Sequence, residues 1–316
     1  MAAFIIRRLI AMVLVLFAVS VLTFLIFNVI PNGDPADRMA GKQATPLVIE
    51  QIKKDWGFDR SLPVQYGTMM KKLFSGSLIS QTNRVNVTEE LKRGLPRTFT
   101  LAIGAALLWF ATGVALGLFT AVRAGQWSDR LVTVLAIIGI SMPVFWLGAL
   151  ARNYLGYEWG IFPNGGYKEI AEEGLWQWFY HLLLPWIVLA TLFIGVYSRV
   201  VRSTVLDTIN DDYVRTARAK GLAERRVLVR HVLRNSLIPV VTLWGLDFGL
   251  VLGGGAILTE TVFDLQGIGQ YFAESIDRLD VPPVLMITIF GAFFIVLLNG
   301  IVDIVYAALD PRIRLS

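Results

Sequence analysis

Six apolar segments of about twenty residues each dominate this 316-residue sequence. A helix rises about 1.5 Å per residue, so roughly 20 mostly apolar residues are needed to cross the hydrocarbon core of a bilayer. The sequence therefore predicts an all-α integral membrane protein, a single transmembrane domain over residues 1–316 with six transmembrane helices. The predicted spans are 9–30, 99–122, 131–151, 182–201, 237–258 and 284–308.

The first apolar segment begins just after Arg7 and Arg8, as the core of a secretion signal would. Its apolar run is about twice as long as a signal core, and no small-x-small cleavage site follows at IPNGDPADR (30–38). We interpret it as a retained helix. Pro143 and Pro185 lie inside the third and fourth segments and are potential kink points.

Basic residues are distributed unevenly between the short loops. One set of loops, together with the two chain ends, holds fifteen Lys and Arg residues, of which nine lie within 199–239. The opposite short loops hold Arg152, Lys168 and Arg278. Because short cytoplasmic loops carry an excess of Lys and Arg, we expect both termini and the loop 202–236 in the cytoplasm and the loop 31–98 outside. The net charge of +5 then reflects sidedness, and no nucleic-acid partner is needed.

The chain offers no residues for enzymatic chemistry. It has no cysteine and only two histidines, at 181 and 231, so a metal site is not expected. The sequence lacks a phosphate-binding GxxxxGK[ST] loop, a GxSxG nucleophile motif and an HExxH zinc motif. We therefore predict no catalytic residue, no metal ligand and no resident cofactor.

Charged and small residues inside the spans suggest either a solute pathway or close helix packing. A charge near the bilayer centre costs about 2.5–3.5 kcal/mol on insertion scales and persists where it has a partner or a function. Asp303 lies toward one end of the last span, whereas Asp247 lies deeper, within WGLDFG. Asp247 could line a pathway or make an interhelical hydrogen bond. The glycine triplet Gly253, Gly254 and Gly255 suits close packing of helices or the pathway.

The loop 202–236 has the pattern of two short amphipathic helices. Asn210, Asp211 and Asp212 are typical of a helix N-terminus, and Gly221 is a plausible terminator. After Ala223, apolar residues recur at a spacing of four, which predicts a second helix before the chain enters the membrane near residue 239. Lipid headgroups alone would explain the positive charge of this loop, but they do not require a helix, a glycine and a second helix in that order.

This loop, ARAKGLAERRVLVRHVLRN (217–235), resembles the cytoplasmic EAA loop of ABC importer permeases, in the form found in the dipeptide, oligopeptide and nickel class. Ala217, Gly221 and Leu233 are in register with the loop pattern, while Arg215 and Thr216 replace its Glu and first Ala.

Further segments resemble the same class in the same order along the chain. They are IPNGDPADR (30–38), GFDRSLPVQYGTMM (57–70), LPRTFTLA (95–102), TETVFDLQGIGQYFAESIDRLDVP (259–282) and DIVYAALDPRIR (303–314). Two positions depart from the class. Gln266 stands where a proline is common, and FSGSLISQ (74–81) replaces an acidic, glycine-rich stretch. Both departures lie in predicted outer loops, so they bear on docking or on the solute.

The resemblance implies a type I ABC importer permease fold and a helix that couples the permease to a separate ATPase subunit. The implied coupling residues share the region around the glycine; they are Arg215, Ala217, Arg218, Lys220, Gly221, Leu222 and Arg225. Implied partners are two ABC ATPase subunits, which hold the ATP and Mg, a second permease subunit that is usually a different chain, an extracytoplasmic solute-binding protein, and the lipid bilayer. The implied location is a bacterial or archaeal cytoplasmic membrane.

The class default is import of dipeptides or oligopeptides by alternating access, while nickel, glutathione and oligosaccharides are carried by relatives. Two alternatives from other classes stay open on the residues alone. One is an ion-coupled secondary carrier that works without an ATPase, and the other is a membrane scaffold or lipid-binding protein.

Overall fold

The computed structural model describes residues 2–29, 34–40 and 44–309. Residues 30–33 of the IPNGDPADR segment and residues 310–316, which include two of the counted arginines, lie outside the described residues. Between the described residues, β-pairing is limited to an isolated bridge from Ile79 to Asn86. The α-helices are α1 (Ala2–Phe24), α2 (Pro35–Ala40), α3 (Pro46–Trp56), α4 (Leu62–Phe74), α5 (Val87–Val122), α6 (Trp127–Ser141), α7 (Val144–Ala151), α8 (Ile170–Thr208), α9 (Asp212–Ala219), α10 (Glu224–Arg226), α11 (Arg234–Leu250), α12 (Ile257–Phe263), α13 (Ile268–Asp277) and α14 (Val281–Leu309). The predicted all-α fold is confirmed.

Five helical stretches in the described ranges are long and apolar enough to cross a membrane. They are Ile6–Val29, Val87–Val122, Ile170–Thr208, Glu224–Gly255 and Val281–Ile304. The chain has six such stretches if the bent pair Trp127–Ser141 and Val144–Glu158 is one span. Several contain π-helical turns, at Leu25–Val29, Arg152–Glu158, Val227–Leu233 and Val251–Gly255.

The bent pair turns by 100° at Pro143. Met142 has an extended backbone, with φ −84° and ψ 129°, because the ring of a following proline disfavours helical geometry in the residue before it. Pro143 therefore ends one helix and begins the next, as expected for a kink point. At Pro185 the helix α8 continues instead, and its non-helical residue is Gly174, with φ 82°.

Residues 1–99 and 249–300 form one compact unit, called here the first unit. The segment 31–98, predicted only as an outer loop, folds into α2, α3 and α4 and the start of α5. Helices α3 and α4 each begin with a proline in the first turn. Gly57, in a left-handed conformation, ends α3. Their apolar faces form a core that includes Met39, Ile52, Trp56, Met69, Leu78, Val87, Leu91 and Leu285.

A buried carboxylate ties two segments of the first unit together. Asp280 accepts hydrogen bonds from the Ser80 hydroxyl, from the backbone N–H of Gln81 at 3.0 Å and from that of Thr82 at 3.2 Å. Its neighbour Arg278 donates to the side chain of Asn83 at 3.1 Å. The FSGSLISQ segment is thereby anchored to the chain just before α14.

Residues 100–248 and 301–316 form the second unit. Here α8 packs closely on α5 and α6 through glycines. A Cβ on Gly117 would lie 2.6 Å from the Cβ of Val201, and one on Gly195 would lie 2.6 Å from the carbonyl oxygen of Ala136. Real Cβ atoms do not approach so closely, so these glycines permit the small-residue packing that is typical of membrane helices.

Candidate functional site

The basic loop, residues 202–236, contains the predicted helix, glycine and second helix. The first helix, α9, runs from Asp212 to Ala219 and begins after Asp211, although the Asp211 side chain makes no capping hydrogen bond. Gly221 has φ +74°, a left-handed conformation that favours glycine, and its N–H donates to the carbonyl of Arg218 at 2.9 Å. The second helix starts at Glu224 and continues through Pro239 as one helical stretch to Gly255.

The helix α9 is fastened to the start of the following helix. Val214 and Ala217 are buried. The Tyr213 hydroxyl donates to the carbonyl of His231 at 3.3 Å and accepts from the Asn235 side chain at 2.7 Å. One face of α9 is therefore used within this chain, and the opposite face is exposed.

The predicted coupling residues divide between these two faces. Ala217 is buried within the chain, Leu222 is half-buried, and the others are exposed. The exposed residues are Arg215, Arg218, Lys220, Gly221 and Arg225. Arg218 forms a two-point ion pair with Glu224, at 2.7 and 3.2 Å, across the glycine turn. The exposed basic residues thus lie around Gly221. No heavy atom of the described residues lies within 4 Å of a Cβ built on that glycine.

An ion pair that sequence reasoning missed lies at one end of α6 and α8. Arg202 donates two hydrogen bonds to Asp129, both of 2.8 Å, and Asp129 also accepts from the Gly125 backbone at 2.9 Å. Asp129 is only 4% exposed. The available signal was an acidic and a basic residue at the ends of two predicted spans, but the sequence alone does not pair them.

The pathway candidates have structural partners. The Tyr197 hydroxyl donates to Asp247 at 2.8 Å within the second unit. In the first unit, a Cβ on Gly253 would lie 2.3 Å from the Ile295 side chain, and Gly254 has φ 144° and breaks the helix. A Cβ on Gly255 would lie 3.2 Å from the carbonyl oxygen of Leu250. These contacts favour packing for the glycines, and the pathway role stays a prediction.

A second residue that sequence reasoning missed is Glu260, one of five acidic residues in the segment 259–283. It is fully buried, and its Oε2 accepts from the N–H of Gln270 at 3.0 Å near the N-terminus of α13. Thr98 and the Gly269 backbone also lie beside this carboxylate and favour its charged form. A Cβ on Gly267 would overlap the Glu260 carboxylate, so a larger residue there would displace this side chain. Burial raises the pKa of Glu260 to about 7, because a low-dielectric environment disfavours its charged form.

Two family models together cover nearly the whole sequence. The model of the binding-protein-dependent transport system inner membrane component matches residues 113–315, and the model of its N-terminal region matches residues 1–102. The chain belongs to this family. It is therefore a multi-pass permease subunit of an ABC importer in the inner membrane, where ATP is hydrolysed by separate subunits.

Individual relatives match over their full length. The chain is 36% identical to a dipeptide transport system permease of Alkalihalophilus pseudofirmus over 335 residues, which cover 99% of this chain and 100% of the relative. It is also 36% identical to a glutathione transport system permease of Pectobacterium atrosepticum over 315 residues, which cover 99% of each chain. Importers of this family work with a partner ATPase and a solute-binding protein.

Proposed function

We propose that this chain forms half of the translocation pathway of an ATP-driven importer of dipeptides or oligopeptides. The observation that carries the proposal is the exposed basic face around α9 and Gly221 in a permease that contains no nucleotide-binding motif of its own. A permease without an energy source needs a surface on which a motor can act, and this short helix is such a surface.

The solute class is inferred from the relatives. One full-length relative is named for dipeptides and another for glutathione, which is itself a small peptide-like solute. Peptides are therefore the shared chemistry, and nickel or oligosaccharides are the less supported cargo.

The assembly we propose contains a second permease subunit of different sequence and two ATPase subunits that bind ATP and Mg. The basic loop and both termini face the cytoplasm, in agreement with the distribution of Lys and Arg. Closure of the ATPase pair moves α9, and the helix bundle then changes between two packed states that open to opposite sides of the membrane.

The coupling role is assigned to the exposed residues around Gly221. Arg215, Lys220 and Arg225 can donate to acidic side chains or backbone carbonyls of an ATPase subunit. Arg218 has its charge directed at Glu224, so it shapes the turn as well as the surface. Ala217 and Leu222 support the same surface from within, since the first is buried and the second half-buried.

The deciding experiment is uptake into proteoliposomes that contain the permease pair and the ATPase subunits, with the solute-binding protein outside. We expect import of a labelled dipeptide only when ATP is inside, the face on which we place the ATPase subunits. Import by the permease alone, or import driven by a proton or sodium gradient with ATP depleted, would contradict the proposal and favour a secondary carrier.

A charge-reversal series tests the surface itself. Substituting Glu for Arg215, Lys220 and Arg225 together should reduce copurification of the ATPase subunits at least tenfold, because attractive contacts become repulsive. Reversal of Arg278, an exposed arginine in a predicted outer loop, is the matched control and should leave copurification unchanged. Equal recovery of ATPase from both variants would contradict a docking role and leave the basic loop only a role in membrane orientation.

A further inference from the structure

A cavity of about 300 Å³ lies within the first unit, between the π-helical turn Val251–Gly255 and the helices α12, α13 and α14. Most of its lining is apolar, with Phe272, Ile287, Phe290 and Ile295 among the lining residues. Its size is at the lower end of the range for small-molecule sites, which combine apolar walls with a few polar groups.

Among the described residues that line this cavity, Glu260 is the one with an ionisable side chain. Its two carboxylate oxygens are used differently. Oε2 accepts from the N–H of Gln270, so it holds the N-terminus of α13 in place. Oε1 is buried and has no hydrogen-bond partner among the described residues. An unpaired buried carboxylate oxygen is costly, and the anchoring of α13 accounts only for the other oxygen.

We propose that Glu260 and this cavity form a subsite for a primary ammonium group that carries an apolar body. The proposal rests on the proposed function, because the α-amino end of a peptide with an apolar first side chain has this chemistry. An ammonium donates to Oε1 and supplies the positive charge that the buried carboxylate lacks. The apolar body fills the space beside Phe272 and Ile295.

Other cations fit the subsite less well. A divalent metal ion requires about six oxygen ligands, and one free carboxylate oxygen in an apolar wall cannot supply them. A guanidinium would bring five donors, most of which would face aliphatic side chains. The hydroxyl of Thr288, which also lines the cavity, retains acceptor capacity for a second ammonium proton.

The test is direct binding of two matched probes to the assembled permease–ATPase complex in lipid nanodiscs, measured by calorimetry at neutral pH without nucleotide. Leucine amide carries the ammonium, and N-acetyl-leucine amide has nearly the same body without the charge. We expect the complex to bind leucine amide at least tenfold more tightly. Glu260→Gln, which keeps the shape of the side chain, should remove that preference.

Controls separate the subsite from general effects on folding. Glu274→Gln alters another carboxylate, one that pairs with Gln270 outside the cavity, and should keep the preference. Ala292→Phe fills the cavity while Glu260 remains, and should weaken the binding of leucine amide at least tenfold. This variant tests the subsite even if the Glu260→Gln complex does not assemble. Equal binding of both probes by the unmodified complex, an undiminished preference in Glu260→Gln, or unchanged affinity in Ala292→Phe would overturn the subsite.

The binding assay and the uptake assay can fail separately. Discrimination between the two probes without any peptide import would contradict the proposed function and leave the ammonium subsite intact. Peptide import without discrimination between the two probes would support the proposed function and overturn the ammonium subsite.

Discussion

Replacing Gly221 by valine is expected to reduce ATP-driven uptake at least tenfold, while the permease still inserts into the membrane in normal amounts. Gly221 has φ +74°, where an ordinary L-residue costs roughly 1–2 kcal/mol and a β-branched one more. No heavy atom of the described residues lies within 4 Å of a Cβ built at this position. The loss should therefore arise from a displaced turn and added bulk on the surface that we propose meets the ATPase.

The matched control is Gly166→Val. Gly166 has φ +85° and also has no neighbour within 4 Å of a Cβ, but it lies in the segment 156–180, which we place on the opposite side of the membrane. Both variants place a β-branched residue at a positive φ. Uptake should be measured in proteoliposomes together with the rate of ATP hydrolysis. Normal uptake by Gly221→Val, or an equal loss in Gly166→Val, would refute a special role for the glycine turn.

Replacing Arg202 by methionine is expected to destabilise the second unit strongly. Removal of one partner of a fully buried ion pair costs about 3–5 kcal/mol, because the other charge is left buried and unpaired; that range is an upper limit here, since Asp129 is buried but Arg202 is half-buried. Asp129 would lose both donors of Arg202 and keep the hydrogen bond from the Gly125 N–H. A lower yield of folded protein in detergent and a lower midpoint of thermal denaturation are the expected measurements.

A second substitution should relieve much of that loss. Asp129→Asn combined with Arg202→Met removes the unpaired charge, so the double variant should be more stable than Arg202→Met alone. Arg199→Met changes an exposed arginine on the same helix and should be close to neutral. If Arg202→Met behaves like Arg199→Met, the ion pair has no structural importance.

The sequence predicted well those features that depend on local patterns. Apolar length indicated the long apolar helices, and Gly221 with the acidic residues before Tyr213 indicated α9, because hydropathy and helix termination are properties of neighbouring residues. Pro143 as a bend followed for the same reason. The helices within 31–98 were missed, although Pro46, Pro63 and Gly57 were available as start and stop signals.

Features that depend on distant contacts could not be obtained in this way. Glu260 looked like one acidic residue among several, and its burial follows from Thr98, 162 positions earlier, and from the turn at Gly267–Gln270. The partner of Asp129 lies 73 positions away. Gln266 adopts φ 54°, which a proline ring could not reach, so its departure from the class pattern changes the backbone of this turn as well as the side chain.

The attachment of α9 to the helix that follows it determines what kind of mechanical element the basic loop can be. The Tyr213 hydroxyl bonds to His231 and Asn235, and α9 packs on the helical turn Val227–Leu233, so the two segments are joined by direct contacts. A force on the exposed side of α9 therefore acts directly on these contacts and not on a flexible loop. We expect a displacement of α9 to be transmitted through these contacts to the start of the helix that follows it.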